Sequence, residues 1–304
     1  MKNIAQKLKY TSLGIAGAIA LLVIWSFIEP RTLNTENETA KIPNLPASWS
    51  GKKIAQLTDF QIGLWGDNRG TAHRSVAKIV EAKPAVTLIS GDFLYHPGEN
   101  IKPEIETAVD IVRPLIEAGI PTYAVLGNHD YGMSSKKAQP KTKEAEQLEK
   151  ALETVGVEVL ENEAVQLPLL NSNEPLYLVG VGSLWAERDN VNKALSSLPD
   201  SSPRIVMMHN PDTFEQFRAN SAPLAVAGHT HGGQVRVPGL PQWSWLKFTQ
   251  KDKVYADGWA KGFGKANNRL YVNPGIGMSI APIRLFCPPE LTFFTLEPDQ
   301  ASNN

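Results

Sequence analysis

Among its 304 residues the chain has a single cysteine, Cys287, so it can form no intrachain disulfide and has no second thiolate for a zinc site. Any metal it holds must therefore be bound by His, Asp, Glu, Asn or Gln. It has almost no net charge, with 30 Lys plus Arg against 31 Asp plus Glu, which removes the global electrostatic case for wrapping a polyanion. No nucleic acid is expected as a partner. An internal repeat of fixed period is also absent, which speaks against a repeat architecture. What remains is an ordinary globular composition, 42% hydrophobic and 20% charged, with room for one main domain and its core.

Charge is missing altogether from Thr11 to Ile28, a run of 18 residues. As a helix rising about 1.5 Å per residue it spans about 27 Å, near the hydrocarbon thickness of a bilayer and longer than a signal-peptide core of about 7 to 15 residues. Ile24, Trp25, Phe27 and Ile28 at its far end lack the small residues of a cleavage site, and apolar positions run all round the helix. Residues 1–28 are expected to be an uncleaved membrane anchor, with a cleaved signal as the alternative. Lys2, Lys7 and Lys9 precede the run and Glu29, Glu36 and Glu38 follow it. The positive-inside rule then predicts a single pass through the inner membrane, a cytoplasmic N-terminus and an extracytoplasmic catalytic domain. Residues 29–48, with Pro30, Pro43 and Pro46 among polar neighbours, read as a flexible tether. Residues 49–298 form the main domain and 299–304 a tail.

Inside the main domain, short apolar runs predict strands at Ile54–Thr58, Ala85–Ser90, Thr122–Leu126, Leu176–Val181, Arg204–Met208 and Leu224–Ala227. Three helical patterns alternate with them: Ala72, Val76, Ile79 and Val80; Ile101, Ile105, Ala108, Val112 and Leu115; and Ala145, Leu148, Leu152 and Val155. Pro114 is expected to kink or shorten the second. The stretch from Gly232 to Leu296 is expected to be mainly β, and the whole to be α/β layering with mixed sheets.

Scarce polar residues fall at the ends of these strands: Asp59, Gly91-Asp92, Gly127-Asn128-His129-Asp130, His209, and Gly228-His229-Thr230-His231-Gly232-Gly233-Gln234. Four of the six histidines lie in these segments. A single Asp at a strand end is usually a turn former, and a single His usually a hydrogen-bonded core or surface residue. Five segments together mean more, because the carboxyl ends of neighbouring strands in an open α/β sheet converge on one crevice.

On these motifs the sequence resembles the calcineurin-like metallophosphoesterase superfamily over roughly residues 52 to 296. Gly127 to Asp130 and Gly228 to Gln234 carry the likeness best. They are similar to the bacterial membrane-anchored phosphodiesterase branch, as is the C-terminal stretch from Pro282 to Glu290. The resemblance implies a four-layer sandwich, two mixed β-sheets flanked by helices, with two divalent metal ions at the strand ends. Manganese comes foremost, and magnesium, iron and zinc are the other candidates. Carried over by position, Asp92 bridges the ions; Asp59, His231 and the residue at position 61 hold the first; Asn128, His209 and His229 hold the second. His129 is implied as the group that contacts the phosphoryl oxygens or protonates the leaving group, with Asp130 orienting or charging the imidazole. Two such ions clamp phosphate oxygens and lower the pKa of a water, and a carboxylate between them screens their mutual repulsion.

Two positions depart from the family. Where its first motif reads Asp-x-His, this chain has Asp59-Phe60-Gln61. Gln61 could coordinate through its amide oxygen, orient a water, or leave the first site a ligand short; an oxygen donor there favours manganese or magnesium over zinc. The Asp-Arg pair of the protein phosphatases is also missing, since Gly91-Asp92 is followed by Phe93-Leu94-Tyr95-His96-Pro97. Arg236 and Arg284 are candidate replacements, and Trp243, Trp245 and Phe248 a candidate lip for substrate or membrane. The expected activity is hydrolysis of phosphate mono- or diesters near the membrane, on a small-molecule or lipid-linked substrate. The alternatives are pyrophosphate hydrolysis of a nucleotide-activated lipid such as UDP-2,3-diacylglucosamine, and a metal-stabilised binding protein with little turnover.

Overall fold

The apolar runs pair into two six-stranded sheets. The structure, a computed structural model, describes residues 2–66, 68–95, 101–246 and 257–299. The first sheet contains β1 (Asn34–Ile42), β2 (Lys53–Leu57), β3 (Val86–Ile89), β4 (Thr122–Ala124), β5 (Glu158–Val159) and, from the other end of the chain, β14 (Glu290–Pro298). Their order is β1-β14-β2-β3-β4-β5, with β2 to β5 parallel and β14 antiparallel to β2. The second contains β6 (Glu163–Gln166), β7 (Tyr177–Gly180), β8 (Arg204–Met207) and β9 (Ala225–Ala227) and then, after a ribbon of β10 (Arg236–Val237) and β11 (Leu240–Ser244), β12 (Gly258–Trp259) and β13 (Leu270–Val272). Here the order is β12-β13-β9-β8-β7-β6, parallel except at its two edge strands.

Strand alternation explains why the sheets stack. Ile54, Val86, Leu88 and Tyr123 turn inward and meet Leu178, Ile205, Met207, Val226 and Tyr271 of the second sheet. Ala55, Leu57 and Ile89 turn outward onto α2 (Arg69–Ala82), α3 (Lys102–Glu117) and α4 (Thr142–Val155) through Val76, Ile79, Ile105, Val112 and Leu148. Val179, Val206, Ala225 and Val272 do the same on the far side, against Val191 and Ala194 of α5 (Val191–Leu195) and Phe214 and Phe217. The result is the expected four-layer sandwich. Pro114 does not end α3, which runs on to Glu117.

Ahead of the sandwich, α1 (Lys2–Ile28) is apolar all round, and the span Gln6–Arg31, with 26 residues and a mean hydropathy of 2.1, is long and apolar enough to cross a membrane. The segment after it corrects the flexible tether expected at 29–48. Asn34 to Ile42 lies parallel to β14 in unbroken register, from Asn34 opposite Glu290 to Ile42 opposite Pro298. Main-chain hydrogen bonds hold this strand, so it needs few apolar side chains; Ala40 and Ile42 are its buried residues, with Leu45 and Trp49 just beyond.

Candidate metal centre

Each predicted polar segment leaves the end of a strand on the same rim: Asp59 after β2, Asp92 after β3, Asn128 to Asp130 after β4, His209 after β8, and His229 and His231 after β9. Both sheets point these parallel strand ends the same way, so the side chains meet between them. Asp59, Asp92, Asn128 and His209 have no exposed surface, and Gln61 and His231 almost none. Close approach demands glycine at two places. A Cβ on Gly127 would run into the Asp92 carboxylate, and one on Gly228 into Thr58 and Asp59.

Ligand atoms of Asp92, His209 and His229 lie within 4.8 Å of one another, and so do those of Asp59, Asp92 and His231. Asp92 is common to both groups. Its Oδ2 is 3.1 Å from His209 Nε2 and accepts a hydrogen bond from Gln61 Nε2 at 2.9 Å. His231 Nε2 lies 3.3 Å from Asp59 Oδ1 and 3.3 Å from Gln61 Nε2. Asn128 donates its amide to the Met133 carbonyl at 2.8 Å, which turns Oδ1 the other way. Gln61 Oε1, Asn128 Oδ1, His229 Nδ1 and His231 Nδ1 are buried without a hydrogen-bond partner among the described residues. Buried polar atoms are normally paired, so a cluster of orphans around two carboxylates is what an ion-binding centre leaves when only protein is counted.

Electrostatics at the centre follow from burial. Desolvation, partly opposed by His209, pushes the Asp59 carboxyl up to about 7. Burial acts on Asp92 too, but there His209 and His129 outweigh it and hold the carboxyl well below the usual range. Burial is likewise outweighed at His209, where Asp92 raises the imidazole to about 9. Burial wins at His229, which falls to about 3, and at His231, which Arg284 lowers further. His229 and His231 are thereby neutral beside an ionised Asp92, the states that metal ligation requires, whereas His209 must give up its proton to bind an ion.

His129 and Asp130 separate in role. The His129 Nδ1 lies 2.5 Å from the Tyr95 carbonyl, and its ring stacks on that of Tyr95 with centroids 5.2 Å apart. Asp130 instead accepts the backbone N–H groups of Asp92 at 2.9 Å, Gly127 at 2.8 Å and Leu94 at 3.0 Å. This corrects the expected Asp130–His129 pairing: the carboxylate ties two strand-end loops together, and Tyr95 orients the imidazole. Burial and then the Asp92 charge push Asp130 up to about 7.

The candidate arginines are corrected as well. Arg284 is fully buried and spends its guanidinium on backbone carbonyls, including Pro274 at 2.8 Å and Cys287 at 3.1 Å. Arg236 pairs with Asp257 at 2.6 Å and donates to the Gly232 carbonyl at 2.6 Å. Both brace the turn below His231. Trp243 and Trp245 are exposed on and just after β11, while Phe248, like His96 and Pro97, lies outside the described residues. A cavity of about 250 Å³ opens beside Gln61, lined by Leu64, Asn68, Arg69 and Glu104.

A model of the calcineurin-like phosphoesterase family matches residues 52–233, which takes in the five polar segments except for Gln234. The chain belongs to that family. It is 32% identical over 223 residues to phosphodiesterase YaeI of Escherichia coli (strain K12), covering 73% of this chain and 74% of that one. Its likeness to the metallophosphoesterase YkuE of Bacillus subtilis (strain 168) is 26% over 271 residues, 89% and 88% of the two chains. With UDP-2,3-diacylglucosamine pyrophosphatase LpxG of Chlamydia muridarum (strain MoPn / Nigg) it shares 25% over 323 residues, 91% and 93%. As a calcineurin-like phosphoesterase it is a metal-dependent phosphoester hydrolase. Two residues at this phosphoesterase centre escaped the sequence reading: Tyr95, and Trp185, whose ring packs edge-on to His229 at 4.7 Å. Trp185 follows β7, so the strand-end rule that found the others reaches it; Tyr95, which meets His129 through both its carbonyl and its ring, belongs to no motif.

Proposed function

We propose that the chain hydrolyses phosphate mono- or diesters at a membrane surface with two divalent ions at this centre. One observation carries the reading: Asp92 belongs to two groups of ligand atoms, each within 4.8 Å. The orphaned oxygens of Gln61 and Asn128 and the orphaned imidazole nitrogens fit such ions. When bound, two ions supply Lewis-acid stabilisation of phosphoryl charge and make an attacking water acidic enough to ionise near neutral pH. Asp92 is then the shared counter-charge, with Asp59, His231 and Gln61 at the first ion and Asn128, His209 and His229 at the second. An amide oxygen from Gln61 favours manganese or magnesium at the first. The Tyr95 carbonyl accepts from Nδ1–H of His129, which leaves Nε2 to pass a proton to the leaving group.

The apolar helix α1 and the lysines before it support a single-pass anchor with the N-terminus in the cytoplasm and the centre outside the inner membrane. A second reading, pyrophosphate hydrolysis of a nucleotide-linked lipid, is favoured by the likeness to LpxG over 91% of the chain. The test is hydrolysis by the full chain in detergent, with manganese, magnesium, iron and zinc in parallel. The two substrates are bis(p-nitrophenyl) phosphate and UDP-2,3-diacylglucosamine. The first reading expects turnover of the simple diester, highest with manganese. Turnover of the nucleotide-lipid alone replaces it with the second, and no turnover of either with any metal removes both.

A further inference from the structure

We infer that the loop from Ser279 to Cys287, together with Trp65, forms an apolar wedge that seats in the headgroup layer of the bilayer beside α1. The inference rests on the reading of α1 as a membrane anchor. The end of α1 is not a free joint. Arg284 donates its N–H to the Ser26 carbonyl at 2.9 Å. The Glu29 carboxylate, only 4% exposed, accepts from Trp25 Nε1 at 2.6 Å and from the N–H groups of Phe286 at 3.0 Å and Cys287 at 2.5 Å. Thr71 Oγ1 donates to the Pro30 carbonyl at 3.1 Å. These bonds fix the loop within about one helical turn of the end of α1, where Ser26 is buried, Phe27 and Ile28 are the last exposed apolar residues, and Glu29 and Pro30 are buried.

That loop shows what a lipid surface takes up. Ile280 is 77% exposed and Phe286 40%, with φ of 64° and 56°. A β-branched residue in the left-handed region is strained, and a large apolar side chain held in water by that strain is disfavoured a second time. Beside them Trp65 is 66% exposed and donates Nε1 to the Ile280 carbonyl at 3.4 Å. The loop carries one charged residue, Arg284, and that one is buried. Apolar bulk, an interfacial Trp and no exposed charge match the boundary between headgroups and acyl chains. The wedge also borders the centre, since the Ile280 N–H donates to Tyr95 Oη at 3.2 Å and Tyr95 stacks on His129. The centre therefore opens at headgroup height, where the phosphoester of an amphiphile lies.

The test uses the full chain in phosphatidylcholine vesicles, with Ile280→Cys carrying a polarity-sensitive dye; Cys287 is buried and stays unlabelled. Leu170→Cys, at a site 88% exposed between β6 and β7, is the control. Brominated acyl chains are expected to quench the dye at 280 and not at 170. A dye at 280 that stays in water on a chain that floats with the vesicles overturns the inference alone. A chain that does not float overturns the anchor reading and the inference with it. A dye shielded without lipid, on a chain that has become dimeric, assigns the surface to a second copy instead. Ile280→Gly supplies an independent readout, because glycine relieves the left-handed strain. It is expected to raise the melting temperature in detergent while raising KM about tenfold for a vesicle-embedded phosphodiester, the scale of about 1.4 kcal/mol of lost anchoring, with KM for a water-soluble one unchanged. Equal effects on both substrates contradict the wedge.

Discussion

Asp59, Gln61, Asp92, His229 and His231 all have φ between 49° and 73°, a region that side-chain-bearing residues rarely enter. The strand ends hold them there, and the strain turns each side chain out of its strand direction toward a shared point. Asp92→Ala is expected to lose both ions, read by elemental analysis, and all turnover; two ions retained per chain would contradict a shared carboxylate. For His129→Ala we expect turnover to fall about 100-fold or more, with metal content and melting temperature unchanged. Asp130→Ala is expected to differ in kind. It frees the N–H groups of Asp92, Gly127 and Leu94, so it should cost about 3 kcal/mol in stability and weaken metal binding. Gln61→His is expected to tighten the first site and move its preference toward zinc, checked by metal titration of the two proteins. At this scale the polar residues that gather at the centre were legible, because scarce polar residues at strand ends are conspicuous. The contacts of Tyr95 and Asp130 were not, because the Tyr95 carbonyl and the N–H groups that Asp130 accepts are backbone groups that every residue has, and the ring stack on His129 depends on the fold.

Among the elements, β2, β3, β4, β7, β8 and β9 fall within a residue or two of their apolar runs, since strands buried on both faces read as continuous hydrophobic stretches. Strand β1 was illegible for the opposite reason: Asn34-Thr35-Glu36-Asn37-Glu38-Thr39 is a polar edge whose partner lies at the far end of the chain. The difference bears on truncation. A chain that starts at Leu33 keeps β1, whereas one that starts at Trp49 loses it, unburies the pocket of Ile42 and Leu45, and turns β14 into a bare edge. Each of those side chains contributes about 1.5 to 3 kcal/mol. Calorimetry should put the shorter chain about 10 °C or more below the longer, with association at higher concentration. A second element-level expectation concerns pH. Glu290 accepts from Tyr271 Oη and Thr292 Oγ1, each at 2.7 Å, and burial, with Asp257 adding to it, raises its carboxyl from 4.5 to about 7. The fold thus favours the protonated form: its stabilising effect is full below about 4.5 and disappears as pH rises through about 7. Glu290→Gln should flatten the fall in stability between those two values, which denaturant titrations across the range would show.

For the whole molecule, the proposed topology predicts that a reporter active only in an oxidising compartment works when fused after Asn304. Activity of a cytoplasmic reporter instead would reverse the orientation and place the centre on the side of the membrane where nucleotides are at hand, which strengthens the nucleotide-lipid reading. The layered sandwich followed from alternating strands and helices, while the rigid seating of α1 on the loop near Phe286 depended on contacts between residues far apart in the chain. The same distance governs assembly. Strand β14 sits between β1 and β2, so residues roughly 250 positions apart must meet before the first sheet has its final order. During synthesis β1 waits for its only partner in the sheet while every other strand is made, so the sheet closes late. A chain cut before Glu290 keeps every polar residue of the centre but leaves its first sheet split. The C-terminal strand is thus the clasp of the first sheet, since β1 is joined to the other strands of that sheet only through it.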